Sequence, residues 1–191
     1  EVVQDVMGDH AAEVWVSDCY LPQMKAPAQQ HQLCLAHQLR NLQAVVEQAP
    51  QHFWARHVQT LLRYAIHLHN QRQTFSEATF LNRVARIERL FDRLLQQNLD
   101  PPASRRLQRR YQKYRETLFV FLYRIDVSPT NNISERYLRP AVIHRKVSGG
   151  FRSDWGARGY AALKSLIDTA RLSGSSPFDT IQNLFGSPSL P

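Results

Sequence analysis

The stretch Glu13-Val14-Trp15-Val16-Ser17-Asp18 decides how this chain is read. Val14 and Val16 alternate with Trp15 and Ser17, the period of a strand, and the run ends on a carboxylate. Pro22 and Pro27, set among glutamines, mark a loop after it. Gln32 to Leu35 reads as a second short strand leading into a helix from Ala36 to about Glu47. A carboxylate at the carboxyl end of a buried strand stands where α/β sheets present ligands. The same position suits an Asp that only starts a turn, and local sequence by itself favours the turn.

Outward from this stretch, residues 1–9 read as the end of a helix stopped by Gly8 and Asp9. The chain opens on Glu1 rather than Met, inside that helix, so an upstream segment is expected. Downstream the pattern is helical. One helix is expected from Phe53 to about His69. A second runs from Ser76, as N-cap, to about Asn98. Its apolar residues Phe80, Leu81, Val84, Ile87, Phe91, Leu94 and Leu95 recur at spacings of three and four. Pro101 and Pro102 separate it from a third helix, Ser104 to Ile125, striped by Leu107, Tyr111, Tyr114, Leu118 and Phe121. After Pro129, a short helix led by Asn131 and Asn132 is expected to end before Pro140. Val142 to Phe151, with Gly149-Gly150, reads as a loop or hairpin. Gly156 to Leu172 reads as a helix closed by Gly174, and a last short helix follows Pro177.

The chain has 191 residues, 24 Lys and Arg against 16 Asp and Glu, and a net charge of +8. The basic excess favours a polyanionic partner, nucleic acid first. Two cysteines, Cys19 and Cys34, do not make a secreted disulfide framework and point to a reduced, cytoplasmic protein. The longest strongly apolar run, Leu118 to Tyr123, is too short to span a membrane. There is no Gly-x-Ser-x-Gly, no phosphate-loop glycine pattern and no His-Glu-x-x-His.

Glu135 lies in Asn131-Asn132-Ile133-Ser134-Glu135-Arg136. With Asn132 as N-cap it takes the third helical position, a capping-box-like arrangement that suits the helix dipole. That reading leaves the following cations unexplained. Arg136, Arg139, Arg145, Lys146 and Arg152 come with no Asp or Glu among them. They form either a solvated basic face or a surface that holds phosphates beside one carboxylate. Arg105, Arg106, Arg109, Arg110, Lys113 and Arg115, which precede the first acid Glu116, raise the same two alternatives on the third helix. Cys34 and His37 have a possible metal-ligand spacing, but a structural zinc site needs four ligands, and a half-buried thiol beside a helix-start histidine is the simpler reading.

Four blocks carry a resemblance. Val16-Ser17-Asp18-Cys19-Tyr20, Gln32-Leu33-Cys34-Leu35-Ala36-His37-Gln38-Leu39-Arg40, Asn131-Asn132-Ile133-Ser134-Glu135-Arg136-Tyr137-Leu138-Arg139-Pro140 and Arg145-Lys146 resemble, in order, the IS66 family of bacterial insertion-sequence transposases. The tail, Ser165 to Arg171 with Gly174 and Pro177, is also similar, with Asp168 where the family often carries Glu. The resemblance implies an α/β, ribonuclease H-like core interrupted by an all-helical insertion. On that division, residues 1–48 are a partial core, 49–127 the insertion, and 128–191 the rest of the core with the tail. It implies an Asp, Asp, Glu site for Mg²⁺ or Mn²⁺, with Asp18 as the second acid and Glu135 as the third, 117 positions apart. The first Asp is expected on a strand upstream of residue 1, so these residues alone are expected to be inactive. Arg136, Arg139, Arg145, Lys146 and Arg152 are then expected to hold the backbone of double-stranded DNA, transposon ends and target, with the protein a homo-oligomer on DNA in the bacterial nucleoid. The alternative is a non-catalytic DNA-binding remnant of a transposase.

Overall fold

The structure is a computed structural model and describes residues 10–184 together with Gly8 and Gly186. The helix expected over residues 1–9 therefore falls, apart from Gly8, outside the described residues. The chain divides into two compact units, one up to Asn132 and one from Ile133.

The first unit opens with a parallel strand pair, β1 (Ala12–Ser17) and β2 (Ala28–Leu33), with Val14 opposite Gln30, Val16 opposite Gln32 and Ser17 opposite Leu33. β1 ends one residue earlier than the sequence pattern predicts, so Asp18 stands just past the strand. β2 takes in Ala28 to His31, which the sequence reads as loop. Gln29 and Gln30 face solvent, so this strand shows no apolar alternation, and pairing with β1 overrides local propensity. Among the described residues the sheet has these two strands, and the unit is otherwise helical.

Helix α1 (Leu35–Gln48) follows β2 directly, and α2 (Trp54–Asn70) packs against it. Helix α3 (Glu77–Leu95) starts at the expected cap: the Ser76 side chain accepts from the Thr79 amide at 3.3 Å. Its buried residues Phe80, Val84, Ile87, Phe91 and Leu95 form the expected stripe, with Leu81 left exposed at the edge. These residues join Leu33, Leu35, Leu42, Leu62, Tyr111 and Phe121 in one apolar cluster.

The third expected helix is broken. α4 (Pro102–Lys113) stops at Tyr114, a single 3₁₀ turn spans Arg115–Thr117, and α5 (Val120–Tyr123) is one short turn. The reason is the run Leu118, Phe119, Val120, Phe121, Leu122, every member of which is buried. One face of a straight helix cannot bury five consecutive residues; a chain that turns twice can. The buried Gln32 side chain supplies hydrogen bonds there. Its Nε2 donates to the Leu118 carbonyl at 3.1 Å, and its Oε1 accepts from the Phe121 amide at 3.1 Å. Arg115 braces the turn from outside, paired with Asp92 and Glu88 and lying over the Phe91 and Phe119 rings. Burial opposes its charge, and Asp92 with Glu88 and Glu116 outweighs that, holding the guanidinium above its ordinary pKa.

The second unit contains most of α6 (Asn132–Ser148), then α7 (Asp154–Leu172) and α8 (Pro177–Leu184). The helix expected to end before Pro140 runs through it. Proline removes one helical donor, the one that would serve the Arg136 carbonyl, and Arg136 is exposed, so water can take that place. The loop or hairpin expected over Val142 to Phe151 is mostly the end of this helix. Only Gly149 and Gly150, at φ +71° and +111°, make the turn. Ser153 caps α7 through the Gly156 amide at 3.1 Å, and Gly174 closes it at φ +71° as expected.

Candidate functional site

Asp18 leaves β1 with its side chain half-buried. Its Oδ1 accepts from the Tyr20 amide at 3.1 Å, the turn that the sequence also allowed. Oδ2 has no hydrogen-bond partner among the described residues. Turn formation therefore uses one oxygen and leaves the other for a ligand.

The strand register places Asp18 next to the start of α1. Ser17 pairs with Leu33, and the Cys34 amide donates to the Ser17 carbonyl at 2.7 Å. Cys34 is fully buried at the N-cap of α1. Its Sγ accepts from the Asn131 amide at 3.4 Å, and the Leu35 amide donates to the Pro129 carbonyl at 2.9 Å. Residues 129–131 are thus tied beside the ends of both strands, close to where Asp18 emerges. Cys19, the next residue, is a free thiol packed against the core. Burial pushes its pKa up, Arg110 opposes this, Asp18 adds to it, and Lys113 opposes it.

In the second unit, Glu135 lies on the first turn of α6, which begins with Asn132 as its first helical residue. That is one position inside the cap expected there. Helical spacing puts Arg139 and Lys146 on the same stripe as Glu135, with Arg136 and Arg145 flanking it. All four cations are exposed, and so is Arg152 in the turn before α7. The opposite face of α6 is apolar. Ile133, Tyr137, Leu138 and Ala141 line a cavity of about 650 Å³ with residues of α7, including Tyr160 and Leu172. His144, Phe151 and Tyr160 stack at the turn between these helices, with His144 and Tyr160 4.7 Å apart. Asp168 is buried in an ion pair with Lys164. Helix α6 nevertheless has no buried residue, and Val142 shares the stripe of Glu135.

A family model described as Transposase IS66 family matches residues 1–159. The chain belongs to the IS66 transposase family. No curated protein and no solved structure matches it. Within this IS66 chain, the first unit gathers Asp18, Cys34 and Asn131, while Glu135 and the cations Arg136, Arg139, Arg145, Lys146 and Arg152 belong to the second.

Among the described residues no three His, Cys, Asp or Glu side chains group as a metal site, Cys34 and His37 included. Asp18 still fits a hard cation in kind. Mg²⁺ takes carboxylate oxygens, one or two from the protein, and keeps water and phosphate for the rest. No described helix is long and apolar enough to cross a membrane. Sequence reading missed the anchoring of Asn131 on Cys34. No local signal marks it, because the contact joins residues 97 positions apart.

Proposed function

We propose that this chain is part of the catalytic domain of a DNA transposase, with Asp18 and Glu135 as two of three carboxylates that bind Mg²⁺ or Mn²⁺. In this reading the parallel pair β1–β2 and α1 belong to a ribonuclease H-like core, and α2 to α5 belong to the helical insertion. The observation that carries it is the tie of Asn131 to Cys34, beside Asp18. Only three residues separate Asn131 from Glu135, so the chain that bears the third acid starts out from the place where the second one emerges.

Bound divalent cations supply charge that activates the attacking oxygen and stabilises the leaving one in an in-line displacement at phosphorus. The residues of the chain do the positioning. Asp18 keeps one oxygen on the Tyr20 amide, which fixes the carboxylate's direction and leaves Oδ2 for the cation. Arg139 and Lys146, on the Glu135 stripe, and Arg136, Arg145 and Arg152 contact backbone phosphates of double-stranded DNA and hold the scissile strand. The protein acts as a homo-oligomer that brings transposon ends to a target.

The test is a cellular transposition assay on the reading frame that encodes this chain, with Asp18→Asn and Glu135→Gln. Each is expected to lower transposition by about a hundredfold or more, since even groups that only orient metal ligands are worth roughly ten- to a hundredfold. Duplex binding by each variant should persist. Normal transposition by either variant rejects its assigned role. Duplex binding by a reading frame with no strand-transfer activity in any metal identifies instead a DNA-binding remnant.

A further inference from the structure

Helix α4 carries five cations, Arg105, Arg106, Arg109, Arg110 and Lys113, and no acid in its twelve residues. Ser104, Leu107, Gln108 and Tyr111 form its buried face. The cations occupy the rest, with Arg105, Arg109 and Lys113 in one exposed row at spacings of four, and Arg106 and Arg110 in the next. Like charges at this spacing destabilise a helix, so the row works against folding. Elsewhere in the same unit three arginines are paired, while Arg40, Arg56, Arg63, Arg83, Arg86, Arg89 and Arg93 are in no ion pair among the described residues. Arg72 meets Glu77, Arg115 meets Asp92 and Glu88, and Arg124 meets Glu13 and Asp126. Among the described residues none of the five α4 cations is in an ion pair.

The helix is also fixed in place. Gln108 Nε2 donates to the carbonyls of Leu95 at 3.1 Å and Gln97 at 2.8 Å, and Gln112 Nε2 donates to Leu95 at 2.8 Å. Both glutamines thereby satisfy the carboxyl end of α3, and the cationic face points in one direction. At its edge, between α1 and α4, lies a recess of about 100 Å³. Its polar lining is Arg106 and Arg110 with the amides of Asn41 and Gln48, donors suited to phosphate oxygens, and no acid. Cys19, the neighbour of Asp18, packs against the apolar cluster that includes Leu107 and Tyr111 of the buried face of α4.

We propose that the cationic face of α4, with the Arg106–Arg110 recess at its edge, is a second contact surface for the phosphate backbone of duplex DNA, leading toward Asp18. The direction toward Asp18 rests on the transposase reading; the phosphate contact rests on α4 itself. This surface is separate in sequence from Arg136, Arg139, Arg145, Lys146 and Arg152, and it lies in the unit that holds Asp18. It gives the helical block a task besides packing.

The test is the salt dependence of binding to a labelled DNA duplex of arbitrary sequence. Neutralising one phosphate-bound cation lowers the slope of log affinity against log salt by about 0.9, so Arg105→Gln/Arg109→Gln/Lys113→Gln should lower it by about 2 to 3 and weaken binding roughly tenfold or more. Arg105→Lys/Arg109→Lys keeps the charge and should keep the slope. If the triple variant melts early, Arg106→Gln/Arg110→Gln at the recess carries the test, with an expected fall of about 2. An unchanged slope in well-folded glutamine variants, with the unsubstituted chain binding steeply, overturns the α4 surface and leaves the transposase reading standing. No duplex binding by the unsubstituted chain at low salt overturns both.

Discussion

The two units of this chain bury their apolar residues to very different extents. In the first, helices α1 to α5 and β2 close over one cluster that includes Phe80, Phe91, Phe119, Phe121 and Tyr111. In the second, α6 has no buried residue, and Val147 and Trp155 are 83% and 84% exposed. The second unit is joined by a small aromatic stack and an ion pair, Lys164 with Asp168, rather than by a core. The contrast teaches that charge and chemistry need not sit on the best-packed part of a fold. Arg136, Arg139, Arg145, Lys146 and Arg152, all proposed to contact DNA, lie in the unit that buries little. Asp18, proposed as a metal ligand, follows a strand whose Val14 and Val16 pack on the core.

The comparison predicts a large asymmetry in stability. Phe91→Ala removes a fully buried ring that packs edge-on to Phe119 at 5.2 Å, and should cost about 3–5 kcal/mol in urea unfolding. Val147→Ala should change stability by less than about 0.5 kcal/mol. Equal losses from the two would break the contrast. A smaller effect tests how the first unit tolerates its broken helix. Gln32→Ala strips the Leu118 carbonyl and the Phe121 amide of a buried partner and should cost about 2–3 kcal/mol, whereas a helix that simply reforms would show no loss.

A further effect is on pH dependence. Burial first, and then the 2.6 Å hydrogen bond that its hydroxyl donates to Glu88, push the Tyr123 pKa up to about 12 from 10.0. The folded state therefore favours the protonated phenol. Its stabilising contribution is complete below pH 10 and is lost as pH rises from there toward about 12, because the unfolded chain ionises first. Tyr123→Phe should lessen the alkaline decline in unfolding measurements, leaving the part owed to fully buried Tyr111, whose pKa burial also pushes up; a decline unchanged from the unsubstituted chain rejects the Tyr123 contribution.

Where a helix buries one face, the sequence carries its outline. Phe53 to His69 is observed as Trp54–Asn70, and Ser76 caps α3 as its position suggests. Where burial is total or minimal the outline fails. Leu118 to Leu122 has no stripe because all of it is inside, and the break beyond Tyr114 follows from that. Pro140 looks like a stop, but α6 continues through it, and the Arg136 carbonyl that loses its donor belongs to an exposed residue. At the site, a strand leading to Asp18 is readable from alternation, although it stops at Ser17 rather than on Asp18. The hold of Cys34 on Asn131 is not, because it joins residues 97 positions apart through a thiol and an amide that carry no pattern.

That same junction has a topological consequence. The polypeptide departs at Leu35 and comes back at Pro129 to the same spot, with amide and carbonyl of the two residues hydrogen-bonded at 2.9 Å. Everything between is a closed detour whose endpoints coincide. Segments of the detour that touch neither Gln32 nor the cluster around Leu33 can change in length without displacing the strand end that bears Asp18, as long as the two endpoints still meet.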